Sequence, residues 1–128
     1  MKIITSSLTS LIIKFQGLEK AFSLHSHILI PIKSIVLIEY FDHFQEDSQK
    51  KWRLGGVSIS NVLHAGRFYD GSNLDFLYLK DPLGSVASIE APNVLCIETR
   101  DFLFRRLLIS ATPNKAGEIL DWWKITDK

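Results

Sequence analysis

Along most of the chain, short runs of β-branched and other apolar residues alternate with turn-forming clusters, which is the signature of strands joined by short connections. Residues 10–15 form one such run, closed by Gln16-Gly17. Leu18, Ala21 and Phe22 then fall at helical spacing and read as a short helical turn. Residues 28–32 and 35–40 follow as two strands divided by Pro31 and Lys33-Ser34, since proline cannot donate to a ladder. Residues 42–53 are polar and charged, anchored by Phe44 and Trp52, and read as a loop or short helix closed by Gly55-Gly56. Strand character resumes over 59–68. The Asp70-Gly71 pair before the apolar run 74–79 is the best local hairpin signal, because it suits positive φ in a tight turn. After a turn cluster at 80–84, residues 86–89 and 94–99 read as two further strands broken by Ala91-Pro92-Asn93, and 106–110 reads as the last.

The period then switches from two to 3.6. Thr112 suits an N-cap and Pro113 the first helical position, while Ala116, Ile119, Leu120 and Trp123 fall at i, i+3, i+4 and i+7. That pattern predicts an amphipathic helix over about 113–124, whose apolar stripe has only the preceding sheet to cover. Parallel βαβ units would need crossover helices for which the spacing leaves no room. The expectation is an α+β fold, mainly antiparallel: a barrel or sandwich of about seven strands over 3–110, plugged by one C-terminal helix. Neither a repeat nor a low-complexity tract interrupts it, and 1–128 reads as a single domain.

Composition narrows the function classes. A 128-residue domain buries about two-thirds of its unfolded surface, enough for a core without disulfide or metal. Fifteen basic against fourteen acidic residues leave +1, without the basic excess that nucleic-acid binders use to neutralise phosphates. The single cysteine, Cys96, lies in the apolar run 94–97 and reads as a small buried hydrophobe of a reducing compartment. The apolar stretch 3–13 is interrupted by serine and threonine and is too short to span a bilayer. A cytoplasmic protein without a transmembrane segment is the expectation.

Several segments resemble the bacterial pleckstrin-homology-like domains, a mostly uncharacterised group. They are residues 30–39, entered through Pro31; Arg53-Leu54-Gly55-Gly56 and Ala65-Gly66-Arg67-Phe68; the run 76–82; and Cys96-Ile97-Glu98-Thr99 ahead of a terminal helix. The similarity covers about two-thirds of the chain and lies in turns and strand edges. It implies two nearly orthogonal antiparallel sheets capped by the helix, with no catalytic residues to carry over. Lipid-binding members cluster Lys and Arg after the first strand. Here that region offers Lys14 and Lys20 without an arginine pair, a departure from phosphoinositide recognition.

Candidate chemistry is sparse. Lys50-Lys51-Trp52-Arg53 joins three cations to an aromatic ring, a combination able to grip phosphate or stack a base, and Arg67 is a candidate addition. The competing reading is a solvated loop anchored by Trp52. His25 and His27 share one face of a strand, but a third metal ligand would have to come from His43, His64 or a distant carboxylate, so no metal site is expected. Arg105 and Arg106, adjacent on a strand, point to opposite sides and cannot act as one clamp. Trp122 lies off the helical stripe and is a candidate partner contact. No nucleophile–base pair, glycine fingerprint or ligand spacing appears, so neither an enzyme nor a cofactor is expected. The remaining expectation is a binding or assembly module for a protein partner or copies of itself. The alternative is a peripheral binder of anionic lipid or a phosphorylated ligand through Lys50, Lys51 and Arg53.

Overall fold

The computed structural model describes residues 3–6, 9–14, 27–47, 52–59, 63–69, 73–80 and 88–126. These residues form nine strands and one α-helix: β1 (Ile3–Ser6), β2 (Ser10–Lys14), β3 (His27–Pro31), β4 (Ile35–Asp47), β5 (Trp52–Ile59), β6 (Leu63–Tyr69), β7 (Leu74–Lys80), β8 (Ser88–Thr99), β9 (Arg106–Ser110) and α1 (Pro113–Thr126). A 3-10 turn, Ile32–Ser34, joins β3 to β4. β1-β2-β3 make a three-stranded sheet, and the other six run in the order β4-β8-β9-β7-β6-β5. The mainly antiparallel α+β architecture with one terminal helix is therefore as expected. The helical turn expected around 18–24 lies outside the described residues.

Alternation on the central strands shows why the large sheet is apolar on both faces. Phe76 and Tyr78 of β7, Leu95 and Ile97 of β8, and Leu107 and Ile109 of β9 enter one core cluster. Their neighbours Leu77, Leu79, Val94, Cys96 and Leu108 enter a second. The first cluster also holds Ile4, Leu11, Ile13, Ile28 and Ile30 from the small sheet, and Ala116 and Ile119 from α1. Small sheet and helix thus cover the same face of the large sheet. Thr112 caps α1 as expected, its Oγ1 accepting from the Lys115 amide at 3.3 Å. Leu120 and Trp123 complete the helix's apolar stripe.

Nine strands form where about seven were expected, and the run 59–68, read as one strand, divides between the end of β5 at Ile59 and β6 from Leu63. Four further details differ from the sequence reading. Residues 42–47 continue β4, and Trp52-Arg53 open β5, where a loop or short helix was expected. The β8 ladder, which runs from Ile35↔Thr99 to Asp47↔Ser88, supplies the cross-strand bonds that override polar local sequence. Gly55-Gly56 lie inside β5 beside a register shift between Arg53 and Gly55, a normal place for strand glycine. The two strands expected at 86–89 and 94–99 are one, β8. Pro92 is tolerated because β9 pairs only with Val94 to Glu98, which leaves Pro92 on a stretch bonded to β4 alone among the described strands.

The fourth difference is topological. β7 and β9 pair in parallel, Asp75↔Arg106 through Tyr78↔Ile109, and the two sheets do not close into a barrel. β8 lies on the far side of β9, so the chain leaves β7, runs back along β8 and turns into β9 alongside its starting strand. No interposed helix is needed, which is why the absence of βαβ spacing did not reveal the pair.

Candidate functional site

The basic candidates divide between described and undescribed parts. Lys50 and Lys51 lie outside the described residues. Trp52 and Arg53 open the edge strand β5, paired with Tyr69 and Phe68 of β6, and Arg67 is one ladder step away, opposite Gly55. Strand pairing therefore brings Trp52, Arg53 and Arg67 to neighbouring positions of one edge, which the sequence spacing alone could not show. Arg67 is half-buried.

The histidines do not assemble. His25 lies outside the described residues and His27 is exposed on β3. His43 Nε2 lies 3.3 Å from Glu90 Oε2 across the β4–β8 ladder, an exposed imidazole against a half-buried carboxylate, a pair of little energetic weight. No group of three metal-ligating side chains exists among the described residues. Cys96 is buried, and loss of solvation pushes its thiol up to about 12, with Arg106 opposing and Glu98, Glu39 and Asp75 adding to the rise. A thiol so protonated is a poor nucleophile. Trp122 is half-buried against the first core cluster. Beside it, Trp123 Nε1 is buried with no hydrogen-bond partner among the described residues.

Two polar nodes were not visible in the sequence. Arg106 Nη2 contacts Asp75 Oδ2 at 3.1 Å across the parallel pair, with Asp75 only 3% exposed. Asn93 has φ 56°, the left-handed region that asparagine tolerates. Its Oδ1 accepts from Tyr40 Oη at 2.6 Å and its carbonyl from the Ala111 amide at 3.0 Å. One residue thus ties β4, β8 and the start of the helix together. No local pattern signals either node, because each depends on which strands meet.

The remaining open feature is the rim of the large sheet. β4 and β5 end the strand order, and β4 runs for 13 residues with β8 as its one partner among the described strands. Val36 is the extra residue of a register shift near its start and is 51% exposed. Glu39, Asp42 and His43 are exposed further along, and Phe41 is half-buried against the second core cluster. A bulge and outward charge are devices that discourage indiscriminate edge pairing. A partner strand must match them.

Comparison with protein-family models, curated proteins and solved structures gave no match to this chain. No helix of the described residues is long and apolar enough to cross a membrane.

Proposed function

We propose that this chain is a non-enzymatic binding and assembly module that works by pairing the β4 edge of its large sheet with another strand, from a protein partner or a second copy. The observation that carries the reading is the 13-residue edge strand at the end of an unclosed sheet. Strand addition draws its affinity from main-chain hydrogen bonds and its selectivity from alternate side chains, and the Val36 bulge and the charges that follow supply that selectivity. The resemblance to bacterial pleckstrin-homology-like domains supports a non-catalytic role of this kind. The parallel β7–β9 pair is the chief departure of this topology from the two antiparallel sheets the resemblance implies.

Size-exclusion chromatography with light scattering over a concentration series tests the self-pairing form. An apparent mass that rises above 14.6 kDa with concentration supports it, and a constant 14.6 kDa at the highest concentration removes it.

A further inference from the structure

The turn between β8 and β9, residues 100–105, holds an apolar side chain in water by construction. Leu103 is 61% exposed, although its neighbours on both sides are fixed. Phe104 is 2% exposed and packs on Phe76 with ring centroids 5.4 Å apart, and Phe102 stands edge-on to Phe104 at 6.4 Å. The Thr99 hydroxyl donates to the Phe104 carbonyl and lies 3.2 Å from that of Arg105. The Arg105 amide donates to the Leu74 carbonyl at 2.9 Å, and the Arg100 amide to the Ser34 carbonyl at 2.8 Å. Leu103 therefore projects from a pinned turn, and little further ordering is needed for it to engage a partner.

The same turn is ringed by charge. Arg100 and Arg105 flank it and are exposed. The Arg100–Ser34 bond brings in the 3-10 turn that carries exposed Lys33. Over residues 32–34 and 100–105 together, three cations less Asp101 leave +2, with exposed Glu98 just before the turn. Arg106 is not part of the set, being committed to Asp75.

We infer that this end of the molecule is a peripheral docking surface for an anionic lipid bilayer, with Leu103 entering the interface and Arg100, Arg105 and Lys33 meeting the headgroups. A single apolar side chain held out of the core at 61% exposure can enter a bilayer without a preformed partner pocket. Cations around the tip match the negative surface potential of anionic lipid. One leucine and a net +2 give weak, reversible attachment, since durable anchoring takes two signals. The residues named here are other than Lys50, Lys51 and Arg53, and the inference does not rest on the edge-pairing reading.

Vesicle flotation with the full chain tests it, using phosphatidylcholine vesicles with and without phosphatidylserine. Binding is expected only with phosphatidylserine, at low salt, and lost at high salt. Arg100→Gln and Arg105→Gln should each weaken it about fivefold. Leu103→Ser should weaken it about tenfold, through lost apolar burial. Lys115→Gln, on the first turn of α1 beyond the opposite end of β9, should change it less than about twofold. All four positions are solvent-facing or half-exposed, and circular dichroism checks that each variant folds. Absence of flotation with phosphatidylserine at low salt would overturn the inference. So would binding indifferent to Leu103→Ser, or equal losses from Lys115→Gln and the two arginine variants.

Discussion

Replacing Asp75 by leucine should destabilise this protein more than its location near a strand start suggests. Asp75 is 3% exposed and the side chain of Arg106 is 23% exposed, with the two charged atoms 3.1 Å apart. Removing one partner of a buried pair typically costs about 3–5 kcal/mol, because the survivor is left charged and poorly solvated. Arg106 keeps about a quarter of its exposure and regains some hydration, which lowers the expected loss to about 2–3 kcal/mol. At about 4 °C per kcal/mol for a domain of this size, the melting temperature should fall by about 8–12 °C. Adding Arg106→Met to Asp75→Leu should bring stability back to within about 1 kcal/mol of the parent, since an apolar pair of similar volume avoids the desolvation cost altogether. Urea unfolding of the parent, both single variants and the double variant yields the coupling energy. The reasoning depends on the parallel register that sets Asp75 opposite Arg106. A one-residue slip would send the two side chains to opposite faces. Purely additive losses, or a single-variant cost under about 0.5 kcal/mol, would refute both the pair and the register.

Further outcomes follow from other parts of the fold. Ile119 is 3% exposed where α1 meets the first core cluster, so Ile119→Ala should cost about 3 kcal/mol in urea unfolding. Asn93→Ala removes the acceptor for Tyr40 and places a Cβ-bearing residue without a compensating side chain at φ 56°, so it should cost about 2 kcal/mol, with Asn93→Gly milder because glycine relieves the backbone. Native Cys96 should resist alkylation at mildly alkaline pH and react fully once urea unfolds the chain. Its folded value lies above the unfolded one, so its contribution to stability is complete below pH 9.0 and is lost as pH rises toward about 12, at about 1.4 kcal/mol per unit. Urea titrations across that range read the slope.

What the sequence made legible is what depends on local pattern. The helix was readable because Thr112, Pro113 and the stripe from Ala116 to Trp123 signal start, direction and buried face together. The β6–β7 hairpin was readable from Asp70-Gly71. The β4–β8 ribbon was misread beyond residue 41 because its strand state comes from ladder bonds between segments more than forty residues apart, with side chains that look like loop. The parallel pair, the Asp75–Arg106 contact and the Asn93 node are invisible for the same reason: each is a product of strand order. The basic cluster was recognised from composition, and pairing adds only that Arg67 neighbours Arg53 on one edge. Leu103 lies in an aromatic run to which the sequence pattern assigns no role, and only the structure shows that it faces water.

Amide hydrogen exchange along β4, compared between dilute and concentrated protein, tests the assembly reading most directly. Alternate β4 amides, those not engaged by β8, should exchange quickly when the chain is dilute and slow markedly as it associates, while β9 stays protected throughout. Exchange along β4 that does not change with concentration, in a chain that nonetheless grows in mass, would place the contact elsewhere and contradict edge pairing.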